Sequence, residues 1–300
     1  MKNPGKTRHG KTRRSSQNQK GKDKSSTAVG SARKRTLVQL QQTITSIAEA
    51  IEDRREAFFS DPADIETIHR FRTNTRTLRS LVAFIKPWQK SKQNSELQAI
   101  LKEVVGYTSL LRELDVLEKH VRTNPDFSPK LVEFCSTEAA KERAKVLEIL
   151  SSKRVTESFE GAMLMAKNIA WKKRHARHGL SADVARARFD AMIESVGKNL
   201  ATLDLCDAER THDVRKRAKR ARYVAEFCGD VLGADCLDIA KDMTAHQDVL
   251  GDVCDACANI RLIDGFLRRG LSRSVVQGLN LMRTQNEDFL KATLTAAKAE

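Results

Sequence analysis

A row of basic side chains with regular spacing occurs twice in this sequence. The first stripe consists of His69, Arg72, Arg76 and Arg79. The second stripe lies 143 residues later and consists of His212, Arg215, Lys219 and Arg222. Positions i, i+3, i+7 and i+10 share one face of an α-helix. Each stripe therefore predicts a helix that presents four basic side chains in a line.

The residue types in the two stripes indicate anion binding. Arginine binds phosphate oxygens through a planar fork of N–H donors, lysine binds them as a point charge, and histidine adds a donor when it is protonated. A solvated helix face with i, i+4 ion pairs is the ordinary alternative. Few acidic residues interleave with either stripe, Glu226 near Arg222 being the main exception. Because the same row occurs twice, we interpret the stripes as a binding site for an extended anion.

Apolar residues next to each stripe place the cations on packed helices. In the first copy these residues are Ile65, Ile68, Phe71, Leu78, Val82 and Ile85. In the second copy they are Val214, Ala218, Ala221 and Ala225. At about 100° per residue, they fall mostly on the arc beside the cations. The stripes are therefore expected to lie at the edge of a buried seam, which orders their side chains before a ligand binds.

The rest of the chain has the apolar period of long helices and no alternating β-type pattern. Only five prolines and 14 glycines interrupt it, and we expect a helix over residues 95–121 and a helical segment over about 155–176. The sequence predicts an all-α fold of two pseudo-symmetric helical bundles made by internal duplication. The first half is predicted at about 33–152 and the second at about 153–298.

Residues 1–32 differ in composition from the rest of the chain. They contain nine lysines and arginines, a single acidic residue and almost nothing apolar. A segment of this kind cannot bury a core, so we predict a disordered basic tail. Two interpretations of the tail stay open, a solubilising segment and a non-specific arm for polyanions.

The overall composition limits the classes of partner. A formal net charge of +15 and a pI of about 9.7 favour polyanions such as nucleic acids, acidic membranes or phosphate polymers. Aromatic residues make up only 5%, which weakens an interpretation based on base stacking. No apolar run has the length of a transmembrane helix, and no apolar segment follows the basic N-terminus, so no membrane partner or secretory signal is expected.

Two short motifs could indicate a metal, and neither provides enough ligands. Cys254 and Cys257 form a C-x-x-C pair on a predicted helix, without the second pair that zinc needs. His212-Asp213 resembles the metal-binding pair of phosphohydrolases, but the basic residues that follow would repel a divalent cation. The matching position in the first stripe, after His69, is Arg70. We therefore expect no metal site, no cofactor and no enzymatic activity.

The two stripes and the segments that follow them resemble the conserved histidine α-helical domain, CHAD. The resemblance is carried by Ile68-His-x-x-Arg-x-x-x-Arg-x-Leu-Arg79, His212-x-x-Arg-x-x-x-Lys-x-x-Arg-Tyr223, Arg112-Glu-Leu-Asp-Val-Leu117 and Leu250-Gly-Asp-Val-x-Asp255. It covers residues 33 to 298. The chain departs from the pattern at Glu113, where Asp is usual, and at Ala221, which replaces a leucine.

The resemblance implies a module that binds inorganic polyphosphate on the basic faces of two helical bundles, often at polyphosphate granules. Carried onto this sequence, it implies binding by His69, Arg72, Arg76, Arg79, Arg112, His212, Arg215, Lys216, Lys219 and Arg222. The Glu-x-Glu-x-Lys signature of the triphosphatase domain fused to some relatives is absent from the sequence, so a stand-alone binder is expected. The six cysteines show no disulfide framework and favour a reduced, cytoplasmic protein. A nucleic-acid-binding or chromosome-associated protein is the alternative, and a phosphohydrolase acting on phosphate polymers is the third candidate.

Overall fold

The structure, a computed structural model, describes the backbone of residues 17–296 and the side chains of residues 30–244, 248 and 250–295. The helices in that range are α1 (Gln17–Ser60), α2 (Ile65–Ile85), α3 (Ser91–Tyr107), α4 (Ser109–Thr123), α5 (Pro129–Ser151), α6 (Lys153–Lys167), α7 (Lys173–His178), α8 (Ala182–Ala201), α9 (Ala208–Leu232), α10 (Cys236–Leu267) and α11 (Arg273–Ala296). The described backbone has no strand, only a single bridge between Gln89 and Trp171. The predicted all-α fold is confirmed. None of these helices is both long and apolar enough to span a membrane.

Helix α1 begins inside the segment that was predicted to be a disordered basic tail. Residues 1–16 of that segment lie outside the described residues, whereas the backbone of residues 17–32 is helical. No proline occurs in residues 17–32, so nothing in the sequence prevents the backbone hydrogen bonds of α1 from continuing there. Among the side chains of α1 that the structure describes, from residue 30 onward, the first buried ones are Thr36 and Leu37.

The helix predicted over residues 95–121 is instead two helices, α3 and α4, which are separated at Thr108. The backbone of Thr108 (φ −97°, ψ 4°) leaves the α-helical region, and its hydroxyl donates to the carbonyl oxygen of Val105 at 3.1 Å. A hydroxyl that bonds back to its own helix competes with the backbone ladder. The apolar period runs on through the break, with Val104 and Leu111 both buried, so periodicity alone predicted one helix.

The segment predicted as helical over 155–176 also divides, into α6 and α7. The residues between them pair with the turn after α2 through two backbone hydrogen bonds. The N–H of Lys90 donates to the carbonyl oxygen of Ala170 at 2.8 Å, and the N–H of Lys172 donates to that of Trp88 at 2.8 Å. These bonds replace helical ones, and they hold α7 beside the end of α2.

Both stripe helices begin at an aspartate that caps the first turn. Asp64 accepts a hydrogen bond from the N–H of Glu66 at 2.9 Å before α2, and Asp207 accepts one from the N–H of Arg210 at 2.9 Å before α9. A capping carboxylate satisfies a backbone donor that has no helical partner and interacts favourably with the helix dipole. The two caps therefore fix where each stripe helix starts.

Most buried positions of α2 have a buried counterpart on α9, although some counterparts, such as Arg210 for Thr67 and Phe227 for Phe84, are exposed. Buried on α2 are Ile68, Phe71, Thr75, Leu78, Leu81 and Val82. The residues 143 positions later are buried on α9, and they are Thr211, Val214, Ala218, Ala221, Val224 and Ala225. Three alanines on this face let the backbone of α9 lie close to its neighbours. Helix α9 packs against α1, α2, α8 and α10.

The helices form two main apolar clusters. The larger cluster is built mainly from α1, α2, α3, α6, α8 and α9, and the smaller one from α4, α5, α10 and α11. Helix α1 packs on α2 as α8 packs on α9, and α4 packs on α5 as α10 packs on α11. Helix α6, at the start of the predicted second half, packs on α1 and α3. The duplication and the boundary between the two halves stay predictions.

A glycine allows α7 to lie directly on α1. Gly179 has φ +74°, and a Cβ added to it would lie 2.4 Å from the carbonyl carbon of Arg33. We expect Gly179→Ala to lower the free energy of unfolding by about 2–5 kcal/mol, from the left-handed backbone and from overpacking. Urea unfolding measures the change. In the control, Gly161→Ala in α6, an added Cβ meets nothing within 4 Å and should stabilise by about 1 kcal/mol or less. Equal effects of the two substitutions would contradict the close approach.

Candidate functional site

The two stripes meet because α2 packs against α9. Burial lowers the pKa of His69, and the charge of Lys219 in the other stripe adds to this shift. Burial likewise lowers the pKa of His212, with a further contribution from Arg76 in the first stripe. Lys219 and Arg76 occupy the same position in their stripes. The structure thus places the histidine that begins each stripe near the third basic residue of the other.

Arg76 and Lys219 lie at the centre of this arrangement, and both are half-buried. Burial lowers the pKa of Lys219 to about 7, with Arg215 and Arg76 contributing. Burial also lowers the pKa of Arg76, and the charge of Arg215 lowers it further. Within the described part of the chain, neither side chain has an ion pair or a hydrogen-bond acceptor. Like charges held together in this way favour the binding of an anion.

Arg72 is fixed by the break between α3 and α4. Its Nη1 donates to the carbonyl oxygen of Val105 at 2.6 Å, to the hydroxyl of Thr108 at 3.2 Å and to that of Ser109 at 3.0 Å. Burial lowers the pKa of Arg72 to about 10, and the charge of Arg76 adds to the shift. The guanidinium therefore stays charged at neutral pH, and it joins the first stripe to the α3–α4 corner.

Arg215 has the corresponding position in the second stripe, and α10 holds it. Its Nη2 lies 3.4 Å from Oδ1 of Asp255, and only 16% of the Arg215 side chain is exposed. The same nitrogen lies 3.3 Å from the place that a Cβ on Gly251 would occupy, so this glycine leaves room for the guanidinium. The Asp255 side chain is 59% exposed, so solvent screens its ion pair with Arg215. The positive charge of Arg215 is therefore only partly compensated.

Asp115, the counterpart of Asp255 in the sequence, has a structural role. Its buried carboxylate forms an ion pair with Arg143, whose guanidinium also donates to the carbonyl oxygen of Pro62 at 3.2 Å. Burial raises the pKa of Asp115 to about 6. The contacts tie α4 and α5 to the turn before α2. They therefore help to position the first stripe, while Asp115 itself is inaccessible to a ligand.

Arg79 and Arg222 end the two stripes, and their surroundings differ. Burial lowers the pKa of Arg79, with a further contribution from Arg220. The guanidinium of Arg222 lies over the ring of Tyr223, 5.0 Å from its centroid, as in a cation–π contact. Its Nε is 3.6 Å from Oε1 of Glu226, an ion pair that is too long for a hydrogen bond. Arg222 is thus partly compensated by its own helix, whereas Arg79 faces further positive charge.

The two additional candidates from the sequence lie at different depths. Arg112 on α4 is half-buried, and its charge contributes, after burial, to the lowered pKa of His69. Arg112 therefore borders the first stripe, and its role in binding stays a prediction. Lys216 is exposed, and its Nζ lies 2.7 Å from Oδ1 of Asp213. It lies at the outer edge of the second stripe, and its ion pair occupies the carboxylate that a metal at the His212-Asp213 motif would need.

Two arginines that were not predicted extend the cationic region. Burial lowers the pKa of Arg188 on α8, and the charge of Arg220 on α9 adds to the shift, as it does at Arg79. The Nε of Arg188 donates to the carbonyl oxygen of Phe84 near the end of α2, at 2.6 Å. Arg220 directly follows Lys219, so the basic run was a visible signal. No signal in the sequence pointed to Arg188, because only the packing of α8 brings this residue close to the end of α2.

Several buried nitrogens of the stripes have no hydrogen-bond partner among the residues that the structure describes. They are Nδ1 of His69 and the Nε atoms of Arg79, Arg215 and Arg222. Buried polar groups in folded proteins nearly always have a partner. Excess positive charge and nitrogen atoms without a protein partner therefore occur together along the two stripes. This combination suits a ligand that is rich in anionic oxygens.

Comparison with known proteins agrees with the resemblance seen in the sequence. A family model described as the CHAD domain matches residues 42–264, a range that contains both stripes. PptA from Streptomyces chartreusis has a similar structure, with a TM-score of 0.65 and 13% identity over 87% of this chain and 97% of that chain. The CHAD domain from the plant Ricinus communis gives a TM-score of 0.64 and 20% identity over 86% and 92%. At these identities the likeness concerns the fold. No curated protein sequence matches the chain.

Proposed function

The chain belongs to the CHAD domain family, and from that premise we propose that it binds inorganic polyphosphate through the two stripes. The observation that carries the proposal is the pair formed by Arg76 and Lys219. The two cations come from different helices, are both half-buried, and form no ion pair with a described residue. The exposed carboxylate of Asp255 favours both charges, but burial and the charge of Arg215 outweigh it and lower both pKa values. A phosphate polymer between α2 and α9 would supply a direct counter-charge. Binding of this kind would direct the protein to polyphosphate granules in the cytoplasm.

A linear polymer suits the stripes better than a single phosphate does. Four positions spread over i to i+10 extend about 15 Å along a helix axis, at 1.5 Å per residue. One phosphate group reaches only a part of that length, whereas a chain of phosphates meets each cation in turn. The contacts of Arg72 and Arg215 with neighbouring helices order those side chains in advance, which reduces the entropy lost on binding.

Nucleic acid is the second candidate, and the net charge of +15 is the observation that favours it. In a nucleic acid a sugar separates each phosphate from the next, so negative charge is less dense along its backbone than along inorganic polyphosphate. The closely spaced cations of the stripes therefore match polyphosphate better. Trp88 is also buried, which removes it as a platform for base stacking. We therefore propose that nucleic acid competes weakly for the stripes.

We also propose that the role is binding without catalysis. Metal-assisted hydrolysis of a phosphate polymer needs carboxylates or histidines grouped around an ion. The motif closest to this requirement is His212-Asp213, where Lys216 is paired with the carboxylate and adds positive charge beside the histidine. These surroundings favour an anion over a divalent cation.

A competition between long-chain polyphosphate and duplex DNA tests these proposals, at about 0.15 M salt, where the Debye length is about 8 Å. Polyphosphate should displace DNA. Deletion of residues 1–16 should lower polyphosphate affinity by roughly tenfold or less, because salt at this concentration screens the non-specific attraction between a basic segment and a polyanion. Added Mg²⁺ should cause no release of phosphate. Loss of polyphosphate binding in the deletion variant would sink the proposal. Release of phosphate that Asp213→Ala abolishes would indicate a phosphohydrolase.

A further inference from the structure

A second basic surface lies at the end of α2, outside the stripes. Three segments form it, residues 33–35 of α1, residues 86–92 around the α2–α3 turn and residues 172–178 around α7. Together they contain ten lysines and arginines, all of them exposed, and no aspartate or glutamate. None of the ten forms an ion pair with a described residue. We call this the basic end surface.

Backbone contacts hold the three segments together. The two hydrogen bonds between the α2–α3 turn and the residues before α7 fix the second segment to the third. The Nζ of Lys172 adds a bond to the carbonyl oxygen of Pro87 at 2.7 Å. The N–H of Leu180 donates to the carbonyl oxygen of Arg33 at 3.0 Å, which fixes the third segment to the first. The fold therefore builds this concentration of charge in spite of the repulsion within it.

The basic end surface is continuous with the first stripe. Lys86 lies seven residues after Arg79, which places it on the same helix face about 10 Å further along. Its backbone (φ −45°, ψ −42°) is still helical, so the face extends that far. Arg188 borders the interval, because its guanidinium donates to the carbonyl oxygens of Phe84 at 2.6 Å and Ala83 at 3.2 Å. After burial, the charge of Arg220 adds to the lowered pKa of both Arg79 and Arg188. A chain of phosphates that leaves the stripe at Arg79 thus finds further cations at each step.

We propose that the basic end surface binds the part of a long polyphosphate chain that extends beyond Arg79, so that affinity depends on chain length. The inference rests on the proposed function of the stripes and adds a second subsite to it. The side chains of the basic end surface are exposed, and apart from Lys172 they lack fixed contacts like those of Arg72 or Arg215. Their contribution is therefore electrostatic and decreases with added salt. Continuity with the stripe favours the same polymer over a nucleic acid as the ligand.

The test compares tripolyphosphate with long-chain polyphosphate on the full chain and on two fourfold variants. In the end-surface variant, Gln replaces Lys86, Lys90, Lys173 and Arg174, whose side chains make no hydrogen bond or ion pair with a described residue. In the matched control, Gln replaces Lys102, Lys119, Lys130 and Arg268, which are exposed and unpaired within the same described range. Both variants lower the net charge by four.

We expect the end-surface variant to bind tripolyphosphate within about twofold of the parent and long-chain polyphosphate roughly tenfold or more weakly at about 0.15 M salt. The control variant should bind both as the parent does. Equal losses for the two chains, or a loss that the control shares, would overturn the inference. The inference would also be overturned if the end-surface variant lost binding to a short duplex DNA but still bound long-chain polyphosphate as tightly as the parent. A parent that binds neither polyphosphate would contradict the proposed function of the stripes instead.

Discussion

Replacing Arg76 and Lys219 together with methionine should lower polyphosphate affinity by about two orders of magnitude or more and should raise the melting temperature. A charge-assisted hydrogen bond contributes about 1.5–3 kcal/mol, and each 1.4 kcal/mol is about tenfold in affinity. Stability should increase because burial and mutual repulsion oppose both charges in the unliganded protein. Exchanging buried charges for apolar groups of similar size often stabilises a protein by about 1–4 kcal/mol. Calorimetric titration and thermal unfolding measure the two effects.

A control with the same charge change separates the stripe from general electrostatics. Lys119 and Lys130 are exposed, and neither forms an ion pair with a described residue. Replacing both with methionine should change polyphosphate affinity by about twofold or less, because screened surface charges contribute little. In cells, a fluorescent fusion of the control should still collect at polyphosphate granules, and that of the stripe variant should not. If both double variants lose affinity equally, net charge and not the stripe explains binding.

Polyphosphate affinity should fall as the pH rises from about 7 to 9, by up to about tenfold per pH unit. Lys219 has a pKa of about 7 in the unliganded protein, so above that pH it is mostly neutral. A bound polyanion favours the charged form and raises this pKa, which means that binding takes up a proton. Lys219→Arg should remove most of this dependence, because arginine stays protonated over the whole range.

Calorimetry at pH 8 in buffers of different ionisation enthalpy counts the protons that binding takes up. The parent should take up nearly one proton more than Lys219→Arg. The unliganded parent should also become more stable as the pH rises from 7 toward 10.5, because the unfolded chain keeps its proton on Lys219 in that window while the folded protein releases it. Lys219→Met should lack this component. An equal proton uptake by parent and Lys219→Arg would show that Lys219 does not sense the polymer.

The sequence by itself determined the helical nature of the chain, the two stripes and the faces on which they lie. These features are local. The i, i+3, i+7 spacing of His69, Arg72 and Arg76 fixes a common face in any helix, and the adjacent apolar residues fix which side is buried. The capping aspartates before α2 and α9 are local as well. The scarcity of acidic residues between the basic positions of the stripes already indicated an anionic ligand.

Only the tertiary structure decided which cations lie close together. The proximity of Arg76 to Lys219 depends on how α2 crosses α9, and the separation of 143 residues puts that contact beyond any periodic pattern. The lowered pKa of Lys219 follows from the same crossing, because burial and neighbouring charge exist only in the folded protein. Asp115 and Asp255 show the difference most clearly. They occupy matching places in the sequence, yet one is buried against Arg143 and the other is an exposed partner of the second stripe.

The breaks in the predicted helices were also decided by tertiary contacts. The apolar period continues across Thr108, so the sequence predicts one helix where Arg72 binds the corner between two. The sequence of the segment before α7 favours a helix, but its backbone N–H and C=O groups form hydrogen bonds with the turn after α2. That pairing, together with the close approach at Gly179, assembles the basic end surface from three distant segments. The energy of such an assembly lies in contacts between residues far apart along the chain, and local propensity does not encode it.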